Sequence, residues 1–551
     1  MSLDFTPKRI LDSRLDLVDK REFPVYQSAA NITPQIFASS TNSVNNVTYT
    51  IQVPSLENVL DMVVLARSTV SVAITGSPAA GDYLFCVDAL NGANQNTGNA
   101  CLNAFPYHQL MTTANIVINQ CSFGVDMQNV LPSMLRMISR EQLEEFNHMC
   151  PTQLDNVNSY AQAGYLTTNA SPFNTWYQST SYKNESRAGW KIDSITGNNA
   201  VGDGSARAVV VTYTTVEPLL ISPFSWGRSP ATQGIQSINL NINLDSSASR
   251  YLKFALPLAS RIVALSSITS DLQVVFMAPK ASQLASFSPR NVLNFYKLDR
   301  YVSTQTALTA TGGTFSSPSI QLSSIPKAAL VTIRPIATNT IGGTSNTPEW
   351  FLPITKANVM FNTESGLLSS CSQYQLYKMS CETGVQMSFS EWSGTAQGSF
   401  NGSTAPGALA TSQIKTIGSV LALSFGPHIQ ISQEYSAPSS LGQWNLQINC
   451  DYGPSTYTGL FEMCLVLVNE GVVSTSRGNT QSFVNLLSKE TVMSVIGDKP
   501  VYDAPTQSVT DSVDEVLEGG RRRKSYGMGK SGGGMSGGKY GGKSRLSSRL
   551  M

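Results

Sequence analysis

Apolar and polar residues alternate with period two along much of this chain. In Val47-Thr48-Tyr49-Thr50-Ile51-Gln52-Val53 the odd positions are apolar and the even ones polar, and Val70, Val72 and Ile74 repeat the pattern. Ile238-Asn239-Leu240-Asn241-Ile242-Asn243-Leu244-Asp245 alternates throughout, and Trp444, Leu446, Ile448 and Cys450 oppose Asn445, Gln447, Asn449 and Asp451 in the same way. Successive side chains of a strand point to opposite faces, so these segments are predicted to be half-buried strands. Residues 208–211, 272–277 and 463–468 are apolar on both faces, which predicts strands covered on both sides. Helical signals are short. Ser139 and Gln142 form a capping-box pattern that opens a helix over 140–149, with Leu143 and Phe146 on one face. Residues 56–66 and 480–487 are read as two further short helices. Polar stretches rich in Gly, Asn, Ser and Thr at 89–98, 197–204, 309–317, 337–348 and 394–407 are read as loops.

The prediction is therefore an all-β chain with short helices in its connections. Its 551 residues exceed what one core holds. The strand candidates fall into two successive blocks that divide near 285–300. The expected organisation is an N-terminal arm over 1–40, one β domain over 41–290, a second over 291–505 and a flexible tail over 506–551. Charged residues make up 13% of the chain, about half the usual ~25%. Uncharged polar residues take their place, which suits hydrogen-bonding loops and surfaces that pack on other protein, where charge is depleted.

Net charge is +1, but it is unevenly spread. Residues 521–551 hold nine cations and no acid: Arg521, Arg522, Arg523, Lys524, Lys530, Lys539, Lys543, Arg545 and Arg549. That leaves 28 basic against 36 acidic residues in 1–520, a body of charge −8. The same 31 residues contain nine glycines and cannot bury enough apolar surface to offset the entropy of ordering, so a disordered tail is expected. Flexible cations neutralise phosphates without reading sequence, and Tyr526 and Tyr540 offer rings for stacking on bases. DNA contact, nuclear import and an assembly tether are the functional readings of this tail; a solubilising tail is the plain one.

Candidate chemistry is sparse. Eight cysteines lie singly, with none at zinc-ligand spacing, and are expected to be reduced and buried. His108, His148 and His428 fit no nucleophile or metal arrangement and are read as structural. Gly529-Lys530-Ser531 resembles the end of a phosphate loop, but Lys524 stands where the first glycine belongs. No enzyme activity, cofactor or metal is expected. The N-terminus is charged and has no apolar core, and no run of 18 apolar residues occurs, so neither a secretory signal nor a membrane span is expected.

Four ordered blocks resemble a known family. The first is Glu217-Pro218-Leu219-Leu220-Ile221-Ser222-Pro223-Phe224, leading into the strand at 238–244. The second runs from Asn358-Val359-Met360-Phe361-Asn362 to Gly366-Leu367-Leu368-Ser369. The third joins Gln375-Leu376-Tyr377-Lys378-Met379-Ser380 to Met387-Ser388-Phe389-Ser390-Glu391-Trp392-Ser393-Gly394. The fourth joins Gly418-Ser419-Val420-Leu421-Ala422-Leu423-Ser424-Phe425-Gly426 to Gly442-Gln443-Trp444-Asn445-Leu446-Gln447-Ile448. In content and order they resemble the double jelly-roll major capsid proteins of polintons, polinton-like viruses and virophages, a lineage that includes adenovirus hexon. The resemblance covers roughly 25–500. It implies two tandem eight-stranded sandwiches and a homotrimer that tiles an icosahedral DNA virus shell as a pseudo-hexagonal capsomer. It also implies minor and penton capsid proteins as partners, and a place in the virion after assembly in the host cytoplasm or nucleus. Leu517-Glu518-Gly519-Gly520-Arg521 resembles the Leu-x-Gly-Gly-x site of adenovirus-type maturation cysteine proteases. That implies cleavage after Gly520, the alternative being a plain Gly-Gly linker. Two other classes compete: a β-rich attachment or fibre-type binding protein, and a nucleic-acid-binding protein acting through its tail. The first leaves the four blocks unexplained, and the second leaves the acidic body unexplained.

Overall fold

The period-two segments pair into two sandwiches with the same strand order. The computed structural model describes residues 30–81, 83–85, 100–147, 150–152, 154, 191–200, 202–224, 232–254, 258, 260–280, 290–336, 350–400, 410–431, 436–455, 459–485 and 487–488, together with a strand pair at 7–11 and 22–26. The first sandwich contains β1 (Asn31–Ala38), β2 (Asn46–Gln52), β3 (Leu65–Gly76), β4 (Met111–Ile118), β5 (Cys121–Val125), β6 (Arg207–Pro218), β7 (Ser237–Leu244) and β8 (Ile262–Ala278). One sheet runs β1-β8-β3-β6 and the other β2-β7-β4-β5, every pair antiparallel.

The second sandwich contains β9 (Asn291–Val302), β10 (Gly313–Ser316, continued by Ile320–Ser324), β11 (Ala328–Pro335), β12 (Ile354–Phe361), β13 (Glu364–Leu367), β14 (Leu421–Ser424), β15 (Leu441–Tyr452) and β16 (Leu460–Ser476). Its sheets run β9-β16-β11-β14 and β10-β15-β12-β13. Each strand thus occupies the place of the strand eight positions earlier in the chain. Strands that lie next to each other in a sheet are mostly distant in sequence, the jelly-roll arrangement that wraps two sheets around one core. A further strand, Lys191–Gly197, pairs outside β6, and Asn479–Val484 folds back on the end of β16.

Helices occupy equivalent connections in both sandwiches. After β5 come α2 (Met127–Leu135) and α3 (Arg140–Glu145); after β13 come α4 (Gln373–Thr383) and α5 (Phe389–Trp392). Among the described residues only α1 (Pro106–Leu110) lies elsewhere, just before β4. Complete capping boxes start three of them, at Ser139/Gln142, Ser372/Gln375 and Ser388/Glu391. Each satisfies backbone N–H groups that the first turn leaves without partners.

The fourth sequence block fixes α5 against the second core. The Trp392 Nε1–H donates to the Val420 carbonyl at 2.8 Å. Between them, Gly418 sits at φ +98, and a Cβ there would lie 1.8 Å from the Phe351 carbonyl oxygen. Only glycine permits that approach.

Several expectations need correction. The segment 56–66 is not helical: Val59–Leu60 is a short strand on β8, and Leu60, Met62, Val64 and Ala66 are all buried, a period of two. The segment 480–487 is not helical either, because Asn479–Val484 forms a hairpin with β16 through Arg477 and Gly478. The helix opened by Ser139 ends at Glu145. Two predicted loops contain strands, Gly313–Ser316 and Thr395–Phe400, the latter paired with Ala410–Lys415. Their Gly, Ser and Thr content reads as turn chemistry, and long-range pairing overrides it. Residues 31–38, set apart as part of an arm, pair along β8 as an edge strand.

Gly418→Ala is expected to lower stability by more than ~1 kcal/mol. Gly124→Ala in β5, where nothing lies within 4 Å of a new Cβ, is expected to be near neutral. Chemical-denaturation midpoints of the two variants test the contrast.

Candidate functional site

The feature that sets this architecture apart is the junction between the sandwiches. Residues 1–432 and 437–486 form one compact unit that includes both. The start of β9 and the end of β16 run past their own core, so Leu293, Phe295 and Val473 belong to the first core. The Phe295 ring meets Phe123 of β5 edge-on, with centroids 4.8 Å apart. In the other direction, Val130 of α2 is buried in the second core.

Polar contacts surround these anchors. Arg300 Nε lies 3.1 Å from Asp126 Oδ2 at the start of α2. The Arg334 guanidinium donates to Asn129 Oδ1 and, at 2.9 Å, to Glu462 Oε1. Asn119 Nδ2 donates to Thr480 Oγ1 at 2.7 Å, and the Tyr296 N–H donates to Ser222 Oγ at 3.2 Å. Both faces of 463–467 are therefore buried, as the apolar run there predicts, and so are both faces of β11, because the first sandwich covers the outer face. At 208–211 the second face stays partly exposed, and at 272–277 it is mostly half-buried.

The first sequence block ends β6 at a buried carboxylate. Glu217 Oε1 accepts from the Tyr107 N–H at 2.7 Å and the Thr215 hydroxyl at 3.2 Å. His108 Nδ1 lies 2.9 Å from Glu217 Oε2, while His108 Nε2 accepts from the Leu220 N–H at 3.1 Å. With Nε2 occupied as an acceptor, the ring hydrogen sits on Nδ1 and is donated to Glu217. Both side chains are fully buried. The cluster ties α1 to the end of β6 and reaches no solvent, so His108 is structural, as read from sequence.

The other candidate groups are structural or lie outside the described residues. His428 Nδ1 accepts from the Ser424 N–H at 3.1 Å, and Nε2 lies 3.1 Å from Glu382. The described cysteines whose surroundings are resolved are unpaired: Cys150, Cys450 and Cys464 are buried, whereas Cys121, Cys371 and Cys381 are half-exposed, against the expectation of burial. Burial, with Asp451 adding to it, pushes the Cys450 thiol up to about 12, the wrong direction for a nucleophile. Among the described residues no group of three His, Cys, Asp or Glu side chains is placed to hold a metal, and no helix is long and apolar enough to cross a membrane. His148, Leu517, Gly519, Gly520 and all nine tail cations, Arg521 to Arg549, lie outside the described residues.

Two sandwiches of one topology, each completed by side chains from the other, define a double jelly-roll protein. The family profile described as Sputnik virophage major capsid protein 1st domain matches residues 3–287, and that described as major capsid protein V20 C-terminal domain matches 298–471. A curated relative, putative capsid protein V20 of Sputnik virophage, is 23% identical over 505 residues, covering 88% of this chain and 80% of its own length. The chain resembles the subunit of the cryo-EM structure of Sputnik virophage with a TM-score of 0.73 at 22% identity, over 91% of this chain and 97% of that one. It resembles the mavirus major capsid protein crystal structure with a TM-score of 0.65 at 14% identity, over 85% and 92%. The chain belongs to the virophage major capsid protein family. Its role is structural, in the capsid of a virion, where it associates with copies of itself; the family is not one of enzymes.

Sequence reading located the Glu217 block but not the junction. Phe123, Phe295, Asn129 and Arg334 carry no local signal that separates them from ordinary strand and helix residues.

Phe295→Ala is expected to cost about 3 kcal/mol, because the side chain is 6% exposed and fills the other sandwich's core. Glu217→Ala, which strips the partner from buried donors, is expected to cost a similar ~3 kcal/mol. Equilibrium unfolding in urea measures both. Loss of a single cooperative transition in Phe295→Ala would show the sandwiches coming apart.

Proposed function

We propose that three copies of this chain form a pseudo-hexagonal capsomer that tiles an icosahedral shell of a DNA virus. The observation that carries this reading is the repeated strand order, β1-β8-β3-β6 and β2-β7-β4-β5 against β9-β16-β11-β14 and β10-β15-β12-β13, in one compact unit. One chain supplies two like modules, so threefold association gives six modules around a ring. The division into modules falls near residue 290, and residues 506–551 act as a tail. Closed symmetric association is the usual outcome for self-complementary subunits. Interfaces of obligate assemblies run to several thousand Å², which suits a chain with 13% charged residues.

The tail is assigned an assembly role. Its nine cations, Arg521, Arg522, Arg523, Lys524, Lys530, Lys539, Lys543, Arg545 and Arg549, offer phosphate contacts against a body of opposite charge. Leu517, Gly519, Gly520 and Arg521 form a cleavage site for a viral maturation cysteine protease that removes the tail after Gly520. Minor and penton capsid proteins complete the shell.

Two measurements test these readings. Full-length chain and a 1–520 truncation, imaged by negative-stain microscopy and weighed by native mass spectrometry, are expected to show trimers with hexagonal outlines; a folded monomer at micromolar concentration overturns the capsomer. Intact mass of subunits from mature particles is expected to end at Gly520, and subunits that all extend to Met551 overturn the cleavage.

A further inference from the structure

A contact inside the first sandwich leads from a buried imidazole to the junction. His108 Nε2 accepts from the Leu220 N–H at 3.1 Å, and Nδ1 lies 2.9 Å from Glu217. Two residues beyond Leu220, the Ser222 hydroxyl oxygen accepts from the Tyr296 N–H of β9 at 3.2 Å. Tyr296 follows Phe295, the ring that enters the first core. Between the two contacts, Leu219 and Ile221 are buried in the first core, and the Leu219 N–H donates to the Val64 carbonyl at 2.9 Å. The short, anchored segment 219–222 thus joins His108 to the edge strand of the other sandwich.

Hydrogen positions decide what a proton does there. In the neutral ring Nδ1 donates and Nε2 accepts, whereas a charged ring donates from both nitrogens. The second hydrogen would point at the Leu220 N–H, a donor against a donor. Glu217 already accepts from the ring, the Tyr107 and His108 N–H groups and the Thr215 hydroxyl. Charging the ring therefore adds no hydrogen bond and removes one, in a cluster with no solvent to replace it. His428 contrasts with it. Its Nδ1 also accepts a backbone N–H, from Ser424, but Thr383 Oγ1 lies 3.3 Å from the same nitrogen, and Glu382 beside Nε2 is 53% exposed. A charge there has an acceptor and water in place.

The other titratable groups around the cluster keep their charge state on acidification. Tyr107 on α1, Cys150 and Tyr251 all lie near Glu217, and burial pushes their phenols and thiol up. β6 adds Tyr213, which packs on Tyr251, and Arg207 at its far end. α2 and β4, which also pack on α1, contain no titratable residue. His108 and Glu217 are left to take up a proton.

We propose that His108 is an acid-sensitive latch: when it takes up a proton, Leu220 and Ser222 are released and the junction between the two sandwiches loosens at Tyr296. A buried ring facing a donor is charged only in molecules whose cluster has opened, so the opened form binds more protons than the closed one. The closed form is fully stable above the ordinary histidine value of ~6.5 and loses stability as pH falls through and below it. The latch lies within one chain and works whether or not copies associate.

Hydrogen exchange on the full-length chain reads it, at pH ~7.5 and ~5.5, either side of the ordinary histidine value, with correction for the intrinsic rate at each pH. Protection at 219–224 and 294–298 is expected to fall about tenfold at the lower pH, while 446–450 in β15 keeps its protection. His108→Gln, whose amide can donate to Glu217 and accept from Leu220 without titrating, is expected to stay protected at both pH values. His428→Gln is expected to respond as the wild type does, and Ser222→Ala to respond at 219–224 but not at 294–298. Equal wild-type protection at both pH values overturns the latch. So does an acid response that survives in His108→Gln, one that disappears in His428→Gln, or a matching loss at 446–450. A response at 294–298 that survives in Ser222→Ala overturns the route to the junction. If circular dichroism shows His108→Gln unfolded, the wild type decides. The midpoint of an imidazole titration falls on warming and that of a carboxylate hardly moves, so an unmoved midpoint overturns the assignment to His108.

Discussion

Everything in this architecture depends on one constraint: each sandwich has its own core, and each core is completed by side chains from the other sandwich. β9 and β16 begin or end inside the first core through Leu293, Phe295 and Val473, and Val130 of α2 returns the exchange. Burying an aromatic side chain across a boundary fixes both distance and angle, because close-packed side chains tolerate little sliding. A flexible linker between two independent jelly rolls would leave their relative rotation free. The side chains exchanged between the two cores set it.

The polar contacts around the core act on orientation more than on strength. Arg334 reaches Asn129 and Glu462 together, and both Arg334 and Glu462 are only 12% exposed. A partly buried ion pair roughly balances its desolvation against its Coulombic gain, but it penalises any arrangement in which one member is left alone. The Glu217–His108 cluster works in the same way inside the first sandwich. Its carboxylate is held by two backbone N–H groups, a hydroxyl and an imidazole, so α1 and the end of β6 have one arrangement in which every donor is satisfied. The Glu217–His108 cluster resembles a catalytic constellation in residue type and differs from one in having no access to solvent.

The four blocks that carry the family resemblance fall where the fold has little freedom. Glu217 is the buried carboxylate, Val359 and Phe361 face the second core, and Leu376 and Trp392 anchor the helices that follow β13. Gly418 allows Phe351 to approach, and a Cβ on Gly442 would overlap the Trp444 ring. Loops and outer faces lack such requirements. That explains how a chain only 23% identical to a curated relative matches it over 505 residues.

The sequence alone determined that this is an all-β chain of two blocks, because period-two alternation and strand-sized apolar runs depend only on local backbone geometry. It also revealed the capping box at Ser139 and the separation of a basic tail from an acidic body. The helices assigned to 56–66 and 480–487 were misread because both segments take their structure from partners far along the chain, β8 and β16. Only the tertiary structure decided which apolar residues serve the fold and which serve the junction. Leu293 and Phe295 look like any inward-facing strand residues, and Ile32 and Ile36 look the same. Among the described residues the first pair is buried and the second exposed because of what stands opposite each edge, and sequence patterns carry no information about that neighbour.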